Sequence, residues 1–190
     1  MPFHRRHLPH WHPDQAVFFV TWRLHGTLPR PQLPRGVRLT EGQKFALADR
    51  VWDRATSGAR WLANPRAADA VAEVLIDSEQ HGRCQLWAWC IMPNHCHALV
   101  QPYGSLSRLM SWWKGRSAVK VNELLNRAGL PLWQDESYDR WMRNQREIAQ
   151  TAGYIEMNPV KAGLVEAPEQ WRWSSAWSGR ERIDWRRATA

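Results

Sequence analysis

Cys84-Gln85-Leu86-Trp87-Ala88-Trp89-Cys90-Ile91-Met92 is a long run of apolar and aromatic residues, interrupted by Pro93-Asn94 and resumed as His95-Cys96-His97-Ala98-Leu99-Val100. Two strand-like runs joined by so short a link have one economical solution, an antiparallel hairpin. This hairpin lies near the middle of the chain, so whatever forms on either side must build outward from it. On its second strand, residues two apart face the same way. His95 and His97 therefore share one face, with Cα atoms about 6.6 Å apart, while Cys96, Ala98 and Val100 face the other way and are suited to a core.

The flanks supply further elements. Val17-Phe18-Phe19-Val20-Thr21-Trp22-Arg23-Leu24 has strand composition and ends at Gly26. Pro29, Pro31, Pro34 and Gly36 make a loop, and Thr40 and Gln43 open a helix running to about residue 55. A second helix is expected over 66–80, with Val71, Val74 and Leu75 at helical spacing and Gly82 as its stop. Residues 106–127 read as a long basic helix. Leu132-Trp133-Gln134 reads as a short strand before the polar run Asp135 to Arg140, and 145–157 as a final helix stopped by Asn158-Pro159. The order, β-α-(α)-β-β-α-β-α, is that of an α+β fold in which helices cover an antiparallel sheet in the split β-α-β manner. With 190 residues and no internal repeat, the chain is expected to form one domain over 17–165, preceded by a His-rich basic arm (1–16) and followed by a Trp- and Arg-rich tail (166–190).

Charge narrows the class of partner. The net charge is +8 with a pI near 10.1, and the excess is localised: residues 1–40 and 81–130 each carry +5, while 41–80 and 131–160 each carry −2. A basic field of this kind favours a polyanion, nucleic acid first. Arg supplies 22 of the 26 basic residues and Trp 14 of the 21 aromatics, a pairing suited to phosphate binding and base stacking. A coding bias explains those two counts equally well, but not the placement of the charge. Arg5 and Arg6 in the arm, Arg108, Lys114, Arg116 and Lys120 on the long helix, and Arg140 and Arg143 further on are the candidate residues for contact with nucleic acid.

Other classes are excluded or disfavoured. No apolar run approaches the roughly 20 residues of a membrane helix and the first residues lack a signal sequence, so a cytoplasmic location is expected. Cys84, Cys90 and Cys96 form no C-x-x-C and read as buried thiols. There is no Walker loop, G-x-S-x-G or H-E-x-x-H. His10-Trp11-His12 resembles a metal pair but sits in the irregular arm. Glu136 and Asp139 are more readily partners for Arg140 and Arg143 than a catalytic pair.

Two imidazoles on one strand face can converge on a cation, although they serve equally as ordinary polar strand residues. The last helix adds weight. With Ile148, Ala152 and Ile155 as its buried stripe, Glu147, Thr151, Tyr154 and Asn158 form a separate flank. Tyr154, with a hydroxyl able to act as nucleophile, thus shares a face with Asn158, whose carbonyl oxygen is a metal donor. The same two residues also fit a tyrosine at the rim of the fold and an asparagine that merely ends a helix.

Met92-Pro93-Asn94-His95-Cys96-His97-Ala98-Leu99-Val100 resembles the His-hydrophobic-His strand of the HUH single-tyrosine transposases. Glu136-Ser137 with Asp139-Arg140, then Tyr154-Ile155-x-x-Asn158-Pro159-Val160-Lys161-Ala162-Gly163-Leu164-Val165, then Pro168 and Trp171-x-Trp173-Ser174-Ser175, resemble the REP-associated tyrosine transposases in particular, as does Arg5-Arg6-x-Leu8-Pro9 before the first strand. The segment from Leu28 to Ala67 matches no motif, and Cys96 stands at the hydrophobic position between the histidines.

The resemblance implies a ferredoxin-like antiparallel sheet and an enzyme that cleaves and rejoins single-stranded DNA at palindromic repeat hairpins. It also implies Tyr154 as nucleophile forming a 5′-phosphotyrosine, and Mg²⁺ or Mn²⁺ held by His95, His97 and Asn158. Imidazole by itself suits zinc, copper or iron better, so a zinc-dependent hydrolase is a further alternative. A hairpin-binding protein without turnover is another. No general base for Tyr154 is evident, since Glu156 lies on another part of the helix. The chain is expected as a monomer or homodimer, with no membrane partner.

Overall fold

The computed structural model describes residues 16–27, 43, 47, 49, 51–52 and 58–179. Its elements are β1 (Phe18–Leu24), α1 (Pro65–Gln80), β2 (Cys84–Ile91), β3 (His95–Pro102), α2 (Leu106–Leu124), β4 (Trp133–Trp141), α3 (Gln145–Glu156) and a helical turn, α4 (Asn158–Lys161). Gln43, Leu47, Asp49, Val51 and Trp52 are also helical, within the span expected for the first helix. The arm, with Arg5, Arg6 and the His10/His12 pair, lies outside the described residues.

The four strands form one antiparallel sheet in the order β2-β3-β1-β4. This is the α+β arrangement expected from the split β-α-β pattern. β1 lies at the centre, with Thr21 opposite His97 and Arg23 opposite His95 on β3, and Thr21 opposite Tyr138 on β4.

Strand alternation divides the apolar side chains between two cores. Phe18, Val20, Trp22, Cys96, Ala98 and Val100 point to one face, covered by α1 and α2. Val17, Phe19, Leu99, Ala88 and Cys90 point to the other, against Ile148, Ala152 and Ile155 of α3. A bulge in β2 between Leu86 and Ala88 reverses its parity, so that Leu86 and Trp89 face the first core and Ala88 and Cys90 the second.

Local chemistry sets the ends of the helices. The Asn64 side chain accepts from Arg66 N–H at 3.0 Å ahead of Pro65, and Gly82, at φ +62°, follows the end of α1. The Asn144 side chain accepts from Glu147 N–H at 2.9 Å and starts α3.

Two sequence expectations need correction. β4 continues through the polar run to Trp141 rather than stopping at Gln134. Among the described residues it is an edge strand paired with β1 alone, and its charged residues Asp135, Glu136 and Arg140 stay exposed. Asn158-Pro159 does not stop the helical path, because Met157 keeps right-handed helical angles and Pro159 occupies the first turn of α4, where its missing N–H costs nothing. Trp171 and Trp173 pack against the domain. Ile91 N–H donates to Trp173 O at 2.8 Å and Ser175 N–H to Trp89 O at 2.9 Å, so this segment covers the outer edge of β2. No helix among the described residues is long and apolar enough to cross a membrane.

Candidate active site

β3 presents His95 and His97 on the α3 face of the sheet, both fully buried. Their Nε2 atoms lie 2.9 Å apart. Each ring is held from behind. Asn94 Nδ2 donates to Trp52 O at 2.8 Å, which turns its Oδ1 toward His95 Nδ1 at 2.5 Å. An amide oxygen only accepts, so the proton of neutral His95 sits on Nδ1 and Nε2 presents a lone pair. His97 Nδ1 lies 2.8 Å from Thr21 Oγ1, a hydroxyl that can accept its proton in the same way. Burial pushes both imidazoles down to about 3, assisted at His95 by the neighbouring His97 and at His97 by Lys161. At neutral pH both rings are uncharged, the state in which histidine binds metal.

Asp49 completes the cluster. Its Oδ1 lies 3.3 Å from His97 Nε2 and 3.7 Å from His95 Nε2, and the three residues offer ligand atoms within 4.8 Å of one another. These separations would be ion pairs only with protonated rings. With both rings neutral they leave Asp49 Oδ1 buried without a hydrogen-bond partner. Burial raises the Asp49 carboxyl, and His95 when protonated, the hydrogen bond from Tyr154 and the charge of Lys161 offset part of that rise. Sequence reasoning missed Asp49, which sits in the stretch where no motif was recognised.

Tyr154 projects from α3 into the same place. Its hydroxyl donates to Asp49 Oδ2, and its ring packs edge-on against Phe19 at 6.3 Å and His97 at 6.4 Å. The Lys161 ammonium lies 4.0 Å from the centroid of the Tyr154 ring. One turn beyond Tyr154, Asn158 is fully buried with neither Oδ1 nor Nδ2 hydrogen-bonded.

These residues fit a divalent cation. Two donors about 2.1 Å from one ion, at a right angle, lie about 3.0 Å apart, close to the spacing of the two Nε2 atoms. The buried and unpaired Asp49 and Asn158 oxygens are groups that such a charge would satisfy. The Asn94 and Thr21 contacts are the outer-shell bonds that orient metal-binding imidazoles. On the far side of His95 stands Trp52, at 6.1 Å between ring centroids, with the Arg23 guanidinium over its ring at 5.3 Å.

The basic residues are distributed differently from the catalytic candidates. α2 covers the opposite face of the sheet, so Arg108, Lys114, Arg116 and Lys120 lie away from the His pair. Lys114 donates to Gln134 O and Asp135 O, tying α2 to β4, and Lys120 pairs with Glu73 at 3.0 Å. Arg108 and Arg116 are exposed. Arg140 is nearer the site: it lies opposite Phe19 in the sheet and pairs with Glu147 at 3.7 Å, while the exposed Arg143 donates its backbone N–H to the same carboxylate.

Comparison with known proteins gives a consistent result. A family model described as "Transposase IS200 like" matches residues 57–158. The chain is 29% identical over 90 residues to the REP-associated tyrosine transposase of Escherichia coli, covering 46% of this chain and 52% of that protein. A Haemophilus influenzae protein carrying the same name provisionally is 27% identical over 107 residues, 50% of this chain and 61% of its own length. The match thus spans between half and three-fifths of these curated relatives. A solved structure of a REP-associated tyrosine transposase bound to a REP hairpin shares the fold, with a TM-score of 0.56 at 19% identity over 97% of this chain and 91% of that one.

Proposed function

The chain belongs to the IS200-like transposase family, and on that footing we propose that it cleaves and rejoins single-stranded DNA at palindromic repeat hairpins. The observation that carries this reading is the meeting of a tyrosine hydroxyl with two neutral, buried imidazoles and a carboxylate. Tyr154 is the nucleophile. Its oxygen attacks the scissile phosphorus, the bond to the 3′ oxygen breaks, and the strand remains attached as a 5′-phosphotyrosine. Attack by a 3′-hydroxyl on that linkage reverses the step, so the ends are rejoined without an external energy source.

A free phenol has a pKa near 10, so only about one in a thousand is ionised at pH 7. Asp49, which accepts the Tyr154 hydrogen bond, orients the hydroxyl and is the base nearest its proton. His95 and His97, with Asn158 and Asp49 as oxygen donors, would hold Mg²⁺ or Mn²⁺. When bound, such an ion supplies positive charge at the phosphoryl oxygens and at the departing 3′ oxygen. Arg140 and Arg143 are assigned to DNA beside the site, with Arg5 and Arg6 of the arm. Arg108, Lys114, Arg116 and Lys120 are assigned to a part of the DNA remote from cleavage. The protein is expected to act in the cytoplasm, as a monomer or homodimer.

Incubation with a single-stranded repeat hairpin and Mn²⁺ should yield a cleaved strand and a covalent protein-DNA band on a denaturing gel. Excess chelator, His95→Ala or His97→Ala should each abolish both products. Hairpin binding with neither product from the wild-type protein would instead identify a binding protein without turnover, and cleavage that persists in chelator would remove the metal from the account.

A further inference from the structure

Tyr154, Asn158 and Lys161 stand at i, i+4 and i+7 along a right-handed helical path that runs from α3 through Met157 into α4. This spacing lines up three side chains on one face. The first two already have roles in the proposed reaction. The third is a cation placed over the face of the nucleophile's own ring.

That position has two consequences. An ammonium over an aromatic face is attracted by the ring's π-electrons, and more strongly as the ring gains electron density. It is also a positive charge 4.0 Å from the centroid of the ring whose hydroxyl would attack a phosphodiester. Lys161 is exposed, so its flexible stem can follow an incoming phosphate while the ammonium stays beside the ring.

We propose that Lys161 is a catalytic residue whose ammonium binds a non-bridging oxygen of the scissile phosphate as Tyr154 attacks. The group gains charge during the attack, and a donor positioned at that oxygen stabilises the transition state more than the bound substrate. This assignment rests on the transposase reading above, and it separates from it experimentally, because wild-type protein must first form the covalent adduct.

The test compares Lys161→Met, which keeps the aliphatic stem on the Tyr154 ring without the charge, with Lys161→Arg, which keeps the charge. The readout is the single-turnover rate of adduct formation at saturating hairpin DNA and Mn²⁺, with thermal midpoint and hairpin Kd measured in parallel. Lys161→Met should slow adduct formation about 100-fold, the scale of losing one preorganised donor. Its Kd should change less than about threefold and its melting temperature should stay near wild type, while Lys161→Arg should recover most of the rate. A hairpin whose scissile phosphate is replaced by a neutral methylphosphonate completes the cycle: on it, wild type and Lys161→Met should react at similar rates. A wild-type rate for Lys161→Met, an equal deficit on the phosphate and the methylphosphonate, or a deficit that Lys161→Arg does not relieve would each overturn the assignment. Absence of an adduct from wild-type protein would instead overturn the transposase reading itself.

Discussion

The chemistry rests on where a few protons sit. The amide of Asn94 is oriented by the Trp52 carbonyl, and that orientation forces the proton of His95 onto the nitrogen facing away from Asp49. The result is an electron-rich hollow, with two imidazole nitrogens and a carboxylate oxygen directed at one another. Without a cation this arrangement is costly, because buried lone pairs oppose one another. With a cation each group gains a partner. Asp49→Asn removes the formal charge and keeps the shape, so it should weaken Mn²⁺ binding at least tenfold by calorimetry. The variant should still fold, since it relieves a buried carboxylate. Unchanged Mn²⁺ affinity would show that the carboxylate serves Tyr154 alone. The His95/His97 pair was legible because strand alternation is local and unambiguous. Asp49 was not, being 46 positions before His95 in a stretch without a motif, where only tertiary packing brings it to the pair.

At the scale of elements, α3 carries both halves of the design, its apolar stripe seating it on the sheet and its adjoining flank delivering Tyr154. The stripe Ile148, Ala152 and Ile155 was readable from helical spacing and is buried as expected. The flank reads as polar in sequence, yet Thr151 and Asn158 are buried: Thr151 donates to Met142 Sδ at 3.4 Å, whereas neither amide atom of Asn158 is hydrogen-bonded. The N-cap of α3 gives an independent handle on this element. Asn144→Ala should lower global stability by about 1 kcal/mol in urea unfolding, and a loss below about 0.3 kcal/mol would mean that packing alone fixes the start of the helix. β4 shows the opposite failure of local reading. Asp135, Glu136, Ser137 and Asp139 have poor strand propensity, and only pairing with the apolar β1 draws them into the sheet.

For the whole molecule, placing the site inside the second core couples stability to pH. Unfolded, His95 and His97 take up protons near 6.5; folded, burial holds both near 3. Between those values the unfolded chain binds more protons, so stability falls as pH drops, with a slope approaching about 1.4 kcal/mol per pH unit for each imidazole. Asp49 acts in the opposite sense, since its raised carboxyl lets the folded state keep a proton that the unfolded chain has lost. Two imidazoles outweigh one carboxylate. Metal-free protein should therefore lose stability from pH 6.5 to 4.5 in urea titrations, and His97→Asn should flatten that dependence. A pH-independent wild type would contradict the buried neutral pair.

The charge pattern also acquires a meaning only at this scale. The basic residues of 81–130 gather on α2 and next to it: Arg108, Lys114, Arg116 and Lys120 on the helix, Arg127 just beyond it, and Arg83 ahead of β2 with its guanidinium over Trp112 of α2. The hairpin that carries the His pair contributes no Lys or Arg, so this positive charge lies on the α2 side of the sheet, where Arg108 and Arg116 are exposed.

The central claim is that Tyr154 becomes covalently joined to DNA. The chain has three tyrosines, and Tyr138 also stands near the site, edge-on to Phe19 at 6.1 Å. Mass-spectrometric mapping of the adduct, after nuclease and protease digestion, discriminates between them. A nucleotide phosphate on the peptide containing Tyr154, absent from Tyr154→Phe protein, is the predicted result; modification at Tyr138 or Tyr103, or an adduct that survives Tyr154→Phe, would contradict it.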